Sequence, residues 1–178
     1  MADKSLKKNF GYQAFYQIFV LLLPLFTSPY ISRVLGPSSL GIYSYYYSVA
    51  NYFVLFAMLG INNYGNRLIS SCRKDGKNII SKEFSSLVIV HIIVSVLCLA
   101  VYVAYALLIV SADERVFATI QGLMIVGALF DINWFFFGLE EFKLTVTRNT
   151  VVKIVTVSLI FIFVREEGDL WKYCFSIY

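Results

Sequence analysis

An all-α, polytopic transmembrane helical bundle is what this sequence predicts, with five spans, the start of a sixth, and the N-terminus on the cytoplasmic side. Three observations predict it. Of the 178 residues, 59% are hydrophobic and only 15% charged, and the mean hydropathy is +0.73. A soluble domain carries about 45–50% apolar and about 25% charged residues, so a core of this size has no room for the excess, which must face lipid. The apolar residues also gather into runs of about 20, the length that crosses a hydrocarbon layer as a helix. Finally, Lys and Arg collect on one side of the runs, as cytoplasmic connections do.

The first span is expected over about residues 10–31, behind Lys4, Lys7 and Lys8. That start resembles a signal peptide, but no small-residue cleavage site follows, so an uncleaved helix is the better account. Pro24 and Pro29 lie within it. Each removes an amide donor, from the carbonyls of Val20 and Leu25, and so predicts a kink. Bent helices occur in transporters that rock between two states, and a static kink has the same sequence cause.

The second span covers about 40–61, entered through Gly36-Pro37-Ser38-Ser39. Ser44, Tyr47, Ser48 and Asn51 recur there at helical spacing and make a polar stripe. Such a stripe either glues helices together or lines a cavity for a sugar, and composition leaves both open. The third span, about 84–110, has no Asp, Glu, Lys or Arg between Glu83 and Asp113. His91 sits in it, a packed or pore-side polar residue.

The fourth span runs over about 116–139 and the fifth over about 146–164, with the sixth opening at Trp171. Asp131 lies inside the fourth, and Lys153 a similar distance into the fifth from the same side. A charge in hydrocarbon costs about 2.5–3.5 kcal/mol and asks for a partner or a wet cavity. An Asp131–Lys153 ion pair is therefore expected, as packing or as ion coupling.

Orientation follows from the 15 basic residues. An inside N-terminus puts Lys4, Lys7, Lys8, Arg67, Arg73, Lys74, Lys77, Lys82, Lys143, Arg148 and Lys153 inside, against Arg33, Arg115, Arg165 and Lys172 outside. Arg33 and Arg67 end the first and second spans. Either anchors its helix at the interface or offers paired donors to a phosphate. The Arg73-Lys74-Asp75-Gly76-Lys77 loop and the Glu140-Glu141 pair read as solvated surface.

Several classes are excluded. The spans lack the strict alternation of a β-barrel. A net charge of +4, scattered, gives no nucleic-acid footprint. Cys72, Cys98 and Cys174, with one His, make neither a disulfide framework nor a zinc site. No phosphate-binding Gly-rich loop, Gly-x-Ser-x-Gly or His-Glu-x-x-His motif occurs, so no enzyme, cofactor or metal is expected.

Leu23-Pro24-Leu25-Phe26-Thr27-Ser28-Pro29-Tyr30-Ile31-Ser32-Arg33-Val34-Leu35-Gly36-Pro37, continuing through Leu40-Gly41-Ile42-Tyr43, resembles the first helix and turn of Wzx-type oligosaccharide flippases. Gly60-Ile61-Asn62-Asn63-Tyr64-Gly65-Asn66-Arg67 is similar to that family's second-helix exit. Asp131-Ile132-Asn133-Trp134-Phe135-Phe136-Phe137-Gly138-Leu139-Glu140 is similar to its fourth-helix end, and Arg148-Asn149 followed by Lys153 to the start of the fifth. The family belongs to the multidrug/oligosaccharidyl-lipid/polysaccharide exporter superfamily. The resemblance implies that residues 1–178 are a partial N-terminal bundle of a protein of about twelve to fourteen helices in two pseudo-symmetric halves. It implies a bacterial inner-membrane flippase for undecaprenyl-diphosphate-linked O-antigen or capsule repeat units, ion-coupled and free of nucleotide hydrolysis. Its partners would be the bilayer, the lipid-linked oligosaccharide and polysaccharide polymerase machinery. Arg33 then falls where related lipid II flippases place a cavity arginine, with Tyr47, Asn51 and Arg67 as further substrate-binding candidates. A multidrug exporter of the same superfamily and a membrane-embedded polysaccharide polymerase are the competing readings. A five-span piece lacks the second half and is not expected to transport alone.

Overall fold

A computed structural model describes residues 2–73 and 76–177, with side chains from residue 11 onward apart from 12, 13 and 15. Lys74, Asp75, Tyr178 and the side chains of Lys4, Lys7 and Lys8 lie outside the described residues. Among those described there are helices and no strand. They are α1 (Ala2–Met58), α2 (Ile61–Cys72), α3 (Lys77–Leu108), α4 (Arg115–Gln121), α5 (Leu123–Leu129), α6 (Asn133–Gly138), α7 (Phe142–Phe163) and α8 (Leu170–Ser176), with a one-turn 3-10 helix at Glu167–Asp169.

Four helical stretches are long and apolar enough to cross a membrane: Tyr16–Cys72, Lys77–Leu108, Arg115–Gly138 and Phe142–Phe163. The first of these holds both of the first two expected spans, because α1 is interrupted inside. At Gly36 the backbone turns to φ 72°, ψ 168°, a conformation that side chains with a Cβ rarely adopt. A Cβ there would also stand 2.7 Å from Glu167 Oε1. The break that the prolines predict is thus at Gly36. Through Pro24 and Pro29 the dihedrals stay helical, since a lost hydrogen bond can be absorbed without unwinding when lipid leaves the helix no better alternative. Thr27 Oγ1 donates to the Leu23 carbonyl at 3.1 Å in the same turn.

Two ends can be told apart by what packs there. At the Gly36 end, Ile31 and Leu35 of α1 bury against Ile160 and Val164 of α7 and Leu170, Tyr173 and Cys174 of α8. The Tyr30 hydroxyl donates to the Val164 carbonyl at 2.7 Å. Beyond Gly36, Tyr46 packs with Ala106, Val110 and Ala118, and Ala50 with Tyr102 and Ile125. The far end centres on Gly60. There Ile61 and Ile69 of α2 enclose Trp134 of α6, with Phe84, Leu87 and Val88 of α3 around them. By the distribution of basic residues, this Gly60 end is the side expected to face the cytoplasm.

Two departures from expectation matter for the site. The exit of the second span continues as α2, an amphipathic helix that buries Ile61, Gly65 and Ile69 at four-residue spacing and leaves Asn62, Asn63 and Arg67 exposed. Its polarity hid it from a hydropathy reading. The fourth span is segmented: α5 ends at Leu129, α6 begins at Asn133, and Asp131 occupies the interruption.

Candidate functional site

Two depressions stand out. One, of about 840 Å³, runs between α7 and α8 and is lined by hydrocarbon such as Val152, Leu159, Phe163, Trp171 and Phe175. Its one charged group, Lys172, is bonded to Asp169 at 2.5 Å. The other, of about 470 Å³, lies at the Gly60 end. Val54, Met58 and Asn62 form one wall, Met124 to Asp131 and Asn133 another, and Arg148 of α7 the third. A small cavity with convergent polar groups is the better ligand site.

The helix break builds this cleft. Asp131 Oδ1 accepts from the Asn133 amide at 2.9 Å, an Asx-type bond that holds the first amide of the restarted helix. That fixes Asn133, whose Oδ1 accepts from Arg148 Nη2 at 2.8 Å. Asn149 Oδ1 receives Nε and Nη2 of the same guanidinium at 3.1 and 3.0 Å. Arg148 is therefore held by amides, which orient it without cancelling its charge.

The tight seam between α2 and α6 holds one flank of the cleft. A Cβ on Gly65 would lie 2.5 Å from the Trp134 ring, and one on Gly138 2.6 Å from Ile69 Cβ. Close helix approach through small residues is how membrane helices gain packing. Ser70 Oγ donates to the Gly138 carbonyl at 3.3 Å, and Arg73 pairs with Glu140 at 2.6 Å.

The sequence candidates fall into different places. Asp131 lines the cleft. Lys153 does not meet it, and the expected ion pair is absent: Arg148, one and a half turns earlier on α7, is the residue at the level of the break. Five residues place Lys153 about 140° round the helix, where it is exposed. Equal depth in two spans does not fix which face of each helix a residue takes.

Asn51 is half-buried and Ser44, Tyr47 and Ser48 exposed on the second limb of α1. Tyr47 stacks on Tyr43 at 5.6 Å, and Ser48 Oγ donates to the Ser44 carbonyl at 2.7 Å. Ser44, Asn51 and Met58 are seven residues apart and share a face, so this stripe runs down into the cleft wall. Arg33 is exposed at the Gly36 end and Arg67 exposed on α2 at the other. The limb between them, residues 37–58, is about 33 Å long at 1.5 Å per residue, so one diphosphate cannot bridge both. Asn62, Asn133 and Arg148 are cleft residues that no charge-counting along spans picks out. Asn133 and Arg148 share no span, and only the segmented fourth helix brings them together.

A family model described as "Polysaccharide biosynthesis protein" matches residues 6–178. A protein named "Putative O-antigen transporter" in Escherichia coli (strain K12) is 28% identical over 169 residues, 93% of this chain and 40% of that protein. One of the same name in Shigella dysenteriae is 27% identical over 153 residues, 84% of this chain and 37% of that protein. The chain thus spans about two fifths of the length of these relatives. No solved structure matches it significantly.

Proposed function

The chain belongs to the polysaccharide biosynthesis protein family, and from that premise we propose that it is the N-terminal bundle of an inner-membrane flippase. It contributes five spans and the start of a sixth, the Gly36 turn separating the first from the second. The cargo is a polyprenyl-diphosphate-linked oligosaccharide unit destined for O-antigen or a related surface polysaccharide. The work is non-enzymatic: no bond of the cargo is broken.

One observation carries the reading. A guanidinium whose partners are neutral amides, Arg148, sits in a cleft that continues into the polar stripe of the second limb. A diphosphate entering from the cytoplasmic side meets Arg148, with Arg67 exposed on α2 at the same end of the bundle. Hydroxyls, the Asn51 amide and the Tyr47 ring face the sugar, as stacking and hydrogen bonding to carbohydrate require. Arg33 receives the anion at the opposite end. The lipid tail stays in the bilayer, and closing one end while opening the other moves the headgroup across.

A multidrug exporter would instead use Asp131 for cationic cargo. The bond from the Asn133 amide engages that carboxylate, whereas Arg148 keeps its charge for an anion. The test is complementation. The full-length protein, expressed in a strain lacking its own repeat-unit transporter, is expected to restore surface polysaccharide, and Arg33→Ala to abolish it. Lipid-linked units that stay in the inner leaflet despite good expression would contradict the reading.

A further inference from the structure

The apolar groove between α7 and α8 begins at Val151, three positions after Arg148 on the same helix. At about 100° per residue, Val151, Val152, Val155, Leu159 and Phe163 all lie within about 60° of the Arg148 direction. One face of α7 thus carries a cation at the Gly60 end and hydrocarbon for the next four turns or so. Val151, Val152, Val155 and Phe163, with Trp171 and Phe175 across the groove, are each half exposed or more. The far wall is held in place. Ile160 and Val164 bury against Leu170, Tyr173 and Cys174, and Asp169 accepts from the Arg165 and Glu166 amides at the start of α8. Lys172 is paired with Asp169 and stands 5.7 Å over the Trp171 ring, so it brings no free charge to the groove.

Length decides which chain the groove suits. From Arg148 to Phe163 the helix rises about 22 Å, at about 1.5 Å per residue. One leaflet supplies about 15 Å of hydrocarbon, half of a core of about 30 Å. A phospholipid acyl chain rooted at the Gly60 end would stop near the midplane and leave the rest of the groove to a second lipid. A polyprenyl chain, built of many five-carbon units, is long enough to follow the same face past the midplane. The apolar crease between α3 and the fourth span makes the contrast. It measures about 170 Å³ against about 840 Å³, and no charged residue lines it.

We propose that the α7–α8 groove holds the polyprenyl tail of the lipid whose diphosphate sits at Arg148. This deepens the transport reading above and rests on it for the identity of the cargo. The groove walls and the bilayer are equally apolar, so entering the groove gains no hydrophobic energy over staying in lipid. Tethering supplies the preference. A head held at Arg148 keeps its own tail at high effective concentration beside Val151, an advantage that untethered acyl chains lack. The groove also reaches the Gly36 end, where α8 packs on α7 and Phe163 and Trp171 line it. A head moving toward Arg33 therefore keeps its tail against one helix throughout.

Photolabelling of the full-length protein in phospholipid nanodiscs tests the site. The probe is a long polyprenyl diphosphate, bearing no sugar, with a diazirine midway along its tail, and mass spectrometry reads the labelled residues. Label is expected on residues 151–163 and 171–176. Arg148→Ala should lower it about tenfold, as loss of a charge-assisted hold on phosphate predicts. Val155→Trp, which fills the groove, should lower it as much. Ile154→Trp should leave it unchanged, because Ile154 is equally exposed, at 50%, but about 120° from Arg148 round the helix. Label spread over the lipid-facing side of α3, or unmoved by Arg148→Ala or Val155→Trp, overturns the proposal. So does an unlabelled groove, or one labelled equally by a phosphatidylglycerol with a diazirine in its acyl chain. Wild-type protein that takes the label but moves no sugar-bearing lipid across vesicles would count against the transport reading and leave the tail site standing.

Discussion

The two ends of this bundle solve opposite problems. At the Gly36 end, distant elements are sealed by buried apolar contact and by hydroxyls whose partners lie far along the chain. Tyr30 reaches Val164, Tyr46 reaches Glu114 at 2.6 Å, and Tyr102 reaches the Ala118 carbonyl at 2.7 Å. At the Gly60 end a helix is interrupted, an aspartate and an arginine share a cleft, and the packing retreats to one flank, α2 against α6. Segmenting a span is expensive in lipid unless the freed groups border polar space. The open end is thus the one where a span is interrupted and an aspartate and an arginine border the same cleft.

The contrast breaks most readily at its packed seam. Gly65→Ala and Gly138→Ala each push a methyl into Trp134 or Ile69, and each should cost up to about 3 kcal/mol. The measurement is the unfolding midpoint of the full-length protein in detergent. Unchanged midpoints would mean that α2 does not sit against α6. At the sealed end, Tyr46→Phe removes the donor to Glu114 and should cost about 2 kcal/mol, the worth of a buried bond to a charged acceptor. The same substitution at Tyr47, exposed on the stripe, should be stability-neutral. Equal effects at the two sites would erase the distinction between latch and stripe.

Lys153→Ala sharpens the comparison from the other side. It should change stability by less than about 0.5 kcal/mol, and a double-mutant cycle with Asp131→Ala should give no coupling energy. A coupling above about 1 kcal/mol would restore the pair that the helix face excludes.

Acid gives the smallest effect. Asp169, in the short linker at the Gly36 end, bonds Lys172 and accepts from the Arg165 and Glu166 amides, which holds its carboxyl below the usual range. The depressed value means its contribution is present above the ordinary carboxylate value and disappears as pH falls through the folded one. Local protection of the 166–170 amides from hydrogen exchange should fall there, and in Asp169→Asn the acid-dependent part should be missing.

Much of the fold was legible from sequence because hydrocarbon enforces it. A run such as 84–110 can only be a buried or lipid-facing helix, and the charge-free stretch fixed its extent to within a turn at its C-terminal end. Other features stayed hidden for physical reasons. Hydropathy averages over the fourth span, so an unwound step of three residues between α5 and α6 leaves no trace in it. Amphipathic α2 falls below any apolar threshold. Pro24 and Pro29 advertise a kink more loudly than Gly36, yet only a glycine accepts the φ that the turn uses. The site was half legible. Asp131 announced itself as a charge in lipid, but its neighbours Asn133 and Arg148 depend on which faces meet, and helical phase between separate spans is not written in either one alone.

Translocation itself tests the central claim most directly. Reconstituted full-length protein and its Arg148→Ala variant would be compared for the rate at which a short polyprenyl-diphosphate-linked oligosaccharide crosses the vesicle bilayer. Loss of a charge-assisted grip on phosphate predicts a fall of roughly tenfold to a hundredfold. A variant as fast as the wild type would show that the cleft at the Gly60 end does not hold the cargo.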